Sequence, residues 1–337
     1  MNLCAENPHA CAVGAGIVSA TAAVAAAMNL RIGALYFIIE PMPRVPRLGA
    51  HMSIRGGLPR AVDRAHASGC AALQIFTKSA GQWRARPLPP DEIRAFRRRV
   101  RETGIRPVVA HNSYLINIAA SDRALRRQSI AALLEELDRA EALGLDGLVM
   151  HPGSYTSGSE QGGLRLIADG IAAVLDARPD GRTKLLLEHT AGQGTNLGHR
   201  FEHLAAIIDG VGGTPRVGVC LDTCHLLTAG YDICSRAGYE DTFRQFGTIV
   251  GFPRLKAFHL NDSKKPCASR VDRHEHIGKG CIGVDPFRWL LNDRRFARLP
   301  MLLETPKLES RESLRLSDVD PLDAMNLSLL RSLIDGR

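Results

Sequence analysis

The sequence lacks the patterns that mark several common enzyme and binding classes. Its eight cysteines fall at no zinc-finger spacing, no Gly-rich nucleotide-binding loop joins a strand to a helix, and no Ser-His-Asp or Cys-His combination indicates a nucleophilic side chain. A disulfide framework is not expected either, because such frameworks belong mainly to small secreted chains and this chain has 337 residues. Reduced thiols predict a cytoplasmic protein.

Acidic residues are outnumbered, with 35 Asp and Glu against 43 Lys and Arg and a formal net charge of +8. That excess favours a polyanionic partner over a small anionic metabolite. An apolar fraction of 45% and a charged fraction of 23% argue against disorder and against a fibrous repeat. The length allows one large α/β barrel or two ordinary domains, so it does not choose between them.

Residues 1–45 form an apolar amino-terminal extension. Between positions 10 and 39 the only charged residue is Arg31, and a stretch of this length could span a membrane. A signal peptide would open with basic residues, yet residues 1–9 contain no Lys or Arg. We expect a poorly ordered leader or a mis-assigned start and no membrane partner, while a membrane anchor and a targeting peptide stay open as alternatives.

From Arg47 onward, short apolar strands alternate with helices, which is typical of a parallel sheet with covering helices. The eight predicted strands lie at 47–51, 72–76, 107–111, 146–151, 184–188, 216–222, 254–260 and 299–304. Eight such units without a linker predict a single (β/α)8 TIM barrel over residues 46–337. Its active site would be built at the carboxyl ends of the strands.

Two of the covering helices have well-defined predicted bounds. Apolar residues recur at helical spacing over 121–143, where Ser121 or Asp122 would cap the helix and Gly144 would end it. A second helix is predicted at 90–103, and its run of arginines is interpreted as a solvated face.

Six successive predicted strands end in a residue type that binds metals. These residues are His111, His151, Glu188, Asp222, His259 and Glu304. A single histidine or carboxylate at a strand end is usually structural. In a closed barrel, however, all six would converge on one cavity. Burying so many carboxylates and imidazoles is costly unless they are paired or bind metal ions, so a metal cluster is predicted.

Two local pairs extend this set. Asp222 and His225 lie three residues apart in DTCH, and Asp272 and His274 lie two apart in VDRH. Five histidines and four carboxylates then face one site, and mixed nitrogen and oxygen donors suit zinc or manganese better than calcium or magnesium. Nine ligands suit two or three ions, which would activate water to hydroxide and clamp a phosphate during displacement.

Several long motifs carry a resemblance to a known family. The motifs are HNSYLINIA at 111–119, HPGS at 151–154, TAGQGTNLGHRFEHLAAIIDGV at 190–211, VGVCLDTCHLLTAGYD at 217–232, FHLNDSK at 258–264, SRVDRHEHIGKG at 269–280 and LLETP at 302–306. The chain resembles endonuclease IV, the apurinic/apyrimidinic endonuclease family of the xylose-isomerase-like TIM barrels. The likeness runs from about Arg47 to the C-terminal helix.

The resemblance implies a base excision repair enzyme that cuts double-stranded DNA on the 5′ side of an abasic nucleotide, leaving a 3′-hydroxyl and a 5′-deoxyribose phosphate. It implies three zinc ions, with manganese as an alternative in one site, and a metal-bound hydroxide as nucleophile. By this likeness the ion ligands are His111, His151 and Glu188 for the first, Glu188, Asp222, His259 and Glu304 for the second, and His225, Asp272 and His274 for the third. Glu188, as the bridge, and Glu304 are the implied catalytic residues.

The resemblance also implies that side chains fill the gap beside an extruded abasic sugar. Tyr114 and Leu115 match two wedge residues, but Gly81 stands where the best-known member inserts an arginine. His189 is a second departure, since the family pattern has Asn after the bridging glutamate. We expect it to support a ligand or to contact a phosphate, rather than to be a tenth ligand. The predicted DNA-binding residues are Tyr114, Leu115, Lys78, Trp83 and Arg84.

Two rival functions use the same barrel. A sugar isomerase or epimerase also gathers carboxylates and histidines around divalent metals, but it needs fewer ions and gives the basic surplus no purpose. A nonenzymatic DNA-binding barrel would have no reason to keep all nine ligands. One chain completes the barrel, so a monomer is expected.

Overall fold

The computed structural model describes residues 46–308 and 319–335. The predicted extension at 1–45 lies outside these residues. Among the described residues, no helix is both long and apolar enough to cross a bilayer.

Eight parallel strands close into a barrel in which each strand pairs with the next and the last pairs with the first. The strands are β1 Arg47–Met52, β2 Ala72–Phe76, β3 Val108–His111, β4 Gly147–Met150, β5 Lys184–Glu188, β6 Val217–Asp222, β7 Leu255–Leu260 and β8 Pro300–Leu303. Every predicted strand matches an observed one to within one residue at each end. The TIM-barrel prediction is confirmed.

Helices cover the outside of the barrel. They are α1 Leu58–Ala67, α2 Pro90–Thr103, α3 Arg123–Leu143, α4 Glu160–Asp176, α5 Phe201–Gly210, α6 Thr223–Ala229, α7 Arg236–Ile249, α8 Asp285–Asn292 and α9 Pro321–Ser332. The predicted ends of α3 are confirmed, because the Asp122 side chain accepts a hydrogen bond from the Leu125 N–H at 2.7 Å. Gly144 ends the helix in the left-handed conformation with φ 73°.

A layer of apolar side chains fills the inside of the barrel. It consists of Ala72, Val109, Val149, Leu186, Cys220, Ala257 and Leu302. Side chains alternate along a strand, so the residue two positions further on faces the interior again at the carboxyl end. Those residues are Gln74, His111, His151, Glu188, Asp222, His259 and Glu304. The period of two therefore places the predicted strand-end ligands on top of the apolar layer.

Candidate metal centre

Glu188 lies at the middle of the polar layer and is completely buried. Its Oε2 lies 3.0 Å from Nε2 of His111 and 3.2 Å from Nε2 of His151. Its Oε1 lies 2.8 Å from Nδ1 of His259 and 3.5 Å from Nδ1 of His225. One carboxylate thus faces imidazoles from four different parts of the chain, which is the position a bridging ligand requires.

A second group shares Glu188 and adds residues from the next three strands. Ligand atoms of Glu188, Asp222, His259 and Glu304 all lie within 4.8 Å of one another. Nδ1 of His259 lies 3.1 Å from Oε2 of Glu304 and 3.9 Å from Oδ2 of Asp222. The adjacent parallel strands therefore bring three carboxylates around one imidazole.

A third group joins α6 to the loop that follows β7. Nε2 of His225 lies 3.1 Å from Oδ2 of Asp272, and Nε2 of His274 lies 3.2 Å from Oδ1 of the same residue. Asp222 connects this group to the second one, since its Oδ2 lies 3.7 Å from Nε2 of His274. All nine predicted ligands are thus brought together in three overlapping groups.

The ionisable groups of the centre shift one another's pKa. Burial alone would raise the pKa of Glu188, but the surrounding histidines, His259 foremost, hold it well below its usual range. Burial alone would lower the pKa of His225, but Asp222 and Asp272 raise it well above the ordinary value. The Glu188 carboxylate is therefore ionised and requires cationic partners, either protonated imidazoles or metal ions.

Two buried ring nitrogens indicate which kind of cation fits. Nε2 of His225 and Nε2 of His274 make no hydrogen bond, although each lies close to an oxygen of Asp272. A buried polar atom without a partner calls for an explanation, and a bound ion is one. All nine side chains offer nitrogen or oxygen donors of the kind that zinc prefers. The residues present therefore fit divalent metal ions.

Known proteins are similar to this chain in sequence and in fold. The model of a family described as xylose isomerase-like TIM barrel matches residues 62–320. A protein of Chloroflexus aurantiacus named probable endonuclease 4 is 51% identical over 292 residues, which are 87% of this chain and 99% of that protein. The chain belongs to the endonuclease IV family.

Other relatives agree with this membership. A probable endonuclease 4 of Citrifermentans bemidjiense is 47% identical over 289 residues, covering 86% of this chain and 99% of that protein. The crystal structure of endonuclease IV from Thermus thermophilus is 36% identical, has a TM-score of 0.74 and covers 86% of this chain and 98% of its own. A crystal structure of D-psicose 3-epimerase is 16% identical with a TM-score of 0.60, covering 86% of this chain and 100% of its own, and it shows a shared fold alone.

Two further polar residues complete the layer but lie outside the predicted ligand set. Gln74 is fully buried, its Oε1 lies 2.8 Å from Nε2 of His259, and its Nε2 donates to Oε1 of Glu304. Nδ1 of His51 lies 3.0 Å from Nε2 of Gln74 and 3.3 Å from Oε1 of Glu304. The signal that would have found Gln74 is its position two residues after Ala72, inside the barrel.

Asn261 forms hydrogen bonds with two of the predicted ligands. It is fully buried, and its Nδ2 donates to Oδ2 of Asp222 at 2.6 Å. Its Oδ1 accepts from the backbone N–H of Glu304 at 3.0 Å. Both ends of the amide are used inside the protein, so Asn261 positions ligands.

Four of the predicted DNA-binding residues lie on two loops beside the centre. Tyr114 is 67% exposed, and its ring packs edge-on against Phe76 with centroids 5.5 Å apart. Leu115 and Trp83 are half-buried, and Arg84 is exposed. The loop after β3 therefore presents an exposed aromatic ring beside the centre, with the rings of Tyr114 and His111 5.6 Å apart.

Lys78 is placed differently from the prediction. Its side chain is buried, and Nζ lies 3.4 Å from Oε1 of Glu136. The same ammonium donates to the carbonyl oxygens of Gln82 at 2.8 Å and Trp83 at 2.9 Å. The ammonium thus points inward and holds the loop that presents Trp83, while a contact between Lys78 and DNA stays a prediction.

His189 follows the bridging glutamate and is completely buried. Neither ring nitrogen makes a hydrogen bond, and the ring packs against Phe201 and Tyr231 with centroids 5.5 and 5.4 Å apart. Burial lowers the pKa of His189 well below its ordinary value, so the ring is neutral. Its backbone oxygen lies 2.8 Å from Nδ1 of His225, so the residue supports the third group through its main chain.

A second cluster of metal-binding residue types lies outside the centre. Glu160, His199 and His203 bring ligand atoms within 4.8 Å of one another. Arg200 donates to Glu160 and, at 2.9 Å, to Nε2 of His203, while Nη2 of Arg270 lies 2.7 Å from Nε2 of His199. Cationic side chains already take the acceptors that an ion would need, so we assign no metal to this cluster.

Proposed function

We propose that this chain is an apurinic/apyrimidinic endonuclease of base excision repair. It would hydrolyse the phosphodiester on the 5′ side of an abasic site in double-stranded DNA, leaving a 3′-hydroxyl and a 5′-deoxyribose phosphate. The observation that carries this proposal is that nine side chains with nitrogen or oxygen ligand atoms lie close together in three overlapping groups. Relatives named probable endonuclease 4 support it along nearly their whole length.

The three groups would each hold one zinc ion, with manganese as an alternative in one site. His111, His151 and Glu188 would hold the first ion, and Asp222, His259 and Glu304 would join Glu188 around the second. His225, Asp272 and His274 would hold the third. When bound, the ions would supply the Lewis acidity that lowers the pKa of water and neutralises charge on the phosphate.

The chain's own residues would act by positioning charge. Glu188 would keep the first two groups at a fixed separation because its two oxygens face opposite sets of histidines. Gln74 would orient both Glu304 and His259 through its two amide atoms. The apolar layer beneath would keep the floor of the centre dry, which strengthens every electrostatic interaction above it.

DNA would be bound at the barrel mouth by the loops after β2 and β3. Tyr114 and Leu115 would enter the gap left by the abasic sugar, and Trp83 and Arg84 would contact the backbone beside it. The net charge of +8 supports a polyanionic substrate. The cysteines in the described part of the chain are free thiols, which supports a location in the reducing cytoplasm. We propose that the protein acts there as a monomer.

The direct test is a duplex that carries one tetrahydrofuran abasic analogue, incubated with the purified protein before and after chelator treatment. The products are mapped on a sequencing gel, and an undamaged duplex is the substrate control. We expect metal-dependent cleavage immediately 5′ to the analogue and none in the control. An intact abasic duplex in the presence of metal-loaded protein would contradict the proposal and favour an isomerase or epimerase, to be screened on free sugars.

Gly81 offers a second, quantitative test of the DNA-binding model. Gly81 is exposed, and an added Cβ there would meet no heavy atom within 4 Å, so a side chain can start at this position without displacing a neighbour. We expect Gly81→Arg to bind a non-cleavable abasic duplex about ten-fold more tightly, equal to about 1.4 kcal/mol, because an arginine adds a contact at the lesion. Fluorescence anisotropy measures the affinity.

The matched control for this variant is Ala206→Arg, which adds the same charge at an exposed position on the outer helix α5. An equal gain from both variants would mean that charge alone raises the affinity, and Gly81 would then lie away from the lesion.

A further inference from the structure

The third metal group depends on a loop that leaves the barrel after β7. Asp272 and His274 both lie on it, whereas His225 lies on α6. On its inner side the loop is fixed by two backbone hydrogen bonds, from the N–H of Ala268 to Leu227 and from the N–H of Arg270 to Thr228, at 3.0 and 2.8 Å. The carbonyls of α6 thus hold the part of the loop just before the ligands.

This stretch of the loop has an unfavourable backbone conformation. Ala268 has φ 61° and Arg270 has φ 55°, in the left-handed region that residues with a Cβ seldom adopt. Such conformations are unfavourable for residues with a Cβ and persist only where surrounding contacts fix them. The outer side of the loop therefore needs a partner as well as the inner side.

His199 is that partner. Its Nδ1 lies 2.9 Å from the carbonyl oxygen of Asn196 and must carry the proton, which leaves Nε2 as an acceptor. Nη2 of Arg270 lies 2.7 Å from this Nε2. Burial lowers the pKa of His199, with Arg270 adding to the effect, so the neutral ring that can accept this bond is favoured.

Contacts with other residues hold the His199 ring in place independently of Arg270. It lies so close to Gly192 that an added Cβ there would come within 2.7 Å of the ring. It also packs edge-on against His203, with centroids 4.7 Å apart. A parallel link nearby joins the same two segments, since the backbone N–H of Asp272 donates to Oε1 of Gln193 at 3.4 Å.

We propose that His199 is a positioning residue for the third metal ion, acting through Arg270 on the loop that carries Asp272 and His274. His199, on the segment after β5, supplies the acceptor, and the guanidinium of Arg270 joins it to the loop. The two ligands follow Arg270 within four residues. Without the acceptor, the loop keeps its hydrogen bonds to α6 and the Asp272–Gln193 link but loses the contact between Arg270 and His199. The third ion should then dissociate more easily than the other two. This proposal rests on the proposed three-ion function.

The test measures metal retention without any DNA. Zinc-loaded full-length protein is exposed to graded chelator concentrations, desalted, and assayed for zinc per chain by mass spectrometry. For His199→Phe we expect one of three ions to leave at an about ten-fold lower chelator concentration, the lower end of the effect of supporting residues around metal ligands. The other two midpoints should match the wild type. His199→Gln, which keeps an acceptor, should restore retention of the third ion.

Two further variants separate this role from general loosening. His66→Phe makes the same change at an exposed position on α1 and should leave all three midpoints unmoved. Arg270→Met should release the same single ion, and combining it with His199→Phe should add nothing, because both remove one interaction. Unchanged midpoints in His199→Phe, or an equal shift of all three, would overturn the proposal. Fewer than three ions in the wild type would overturn the proposed function itself.

Discussion

The Glu188→Gln variant should cleave an abasic duplex about 10²- to 10³-fold more slowly than the wild type while remaining folded, because removing electrostatic stabilisation at a reacting group has effects of that size. The amide matches the carboxylate in shape but lacks its charge. One of its two ends becomes a donor that cannot bind a metal ion. Since the carboxylate faces His111 and His151 on one side and His259 on the other, both of the first two ion sites would be damaged.

Steady-state cleavage rates and zinc content per chain together check this prediction. Glu202→Gln is the matched control, because Glu202 is an exposed carboxylate on α5 and is not one of the nine predicted ligands, so it should retain full activity and zinc. Circular dichroism establishes that both variants are folded. A Glu188→Gln enzyme that stays within ten-fold of the wild-type rate would remove Glu188 from the reaction.

The barrel and the ligand positions were predictable from sequence for a physical reason. Each strand is a short apolar run because both of its faces are buried, and a metal-binding residue that interrupts such a run stands out. His111 and Glu188, for example, end apolar strands whose bounds were predicted to within one residue. The chemistry of the site was therefore encoded in the places where the local pattern breaks.

Contacts between side chains distant in sequence could not be predicted in this way. Gln74 meets Glu304 across 230 positions, and no local pattern connects the two. Lys78 reads as a loop cation near DNA, yet Glu136 on α3 and two loop carbonyls draw its ammonium inward. A sequence shows which residues have polar ends, but the packing of other elements decides where those ends point.

Asp262 is the clearest example of a residue whose role depends on contacts with residues distant in sequence. It is fully buried directly after Asn261, where nothing local sets it apart from a metal ligand. Its Oδ1 accepts from the backbone N–H of Ser263 at 2.7 Å and of Ile282 at 2.8 Å. Its Oδ2 accepts from Gly280 at 3.0 Å and Gly283 at 3.3 Å. The carboxylate thus ties the start of the ligand-bearing loop to its end.

Asp262→Ala should consequently lower the free energy of unfolding by about 3 to 5 kcal/mol, since four N–H groups, two buried and two partly buried, lose a charged acceptor at once. That loss corresponds to a melting temperature roughly 10 °C lower. The same variant should lose the zinc ion of the third group, because Asp272 and His274 lie on the freed loop. Thermal melts at one fixed zinc concentration and zinc content per chain measure the two effects.

A graded series distinguishes the lost acceptor from the lost charge. Asp262→Asn keeps one accepting oxygen and should fall between the wild type and Asp262→Ala in both measurements. Asp209→Ala removes an exposed carboxylate from α5 and should leave stability within about 0.5 kcal/mol of the wild type. If Asp262→Ala melted at the same temperature as Asp209→Ala and kept its zinc, the loop would have to be held by its other contacts, with α6, Gln193 and His199. The carboxylate would then be dispensable to the third group.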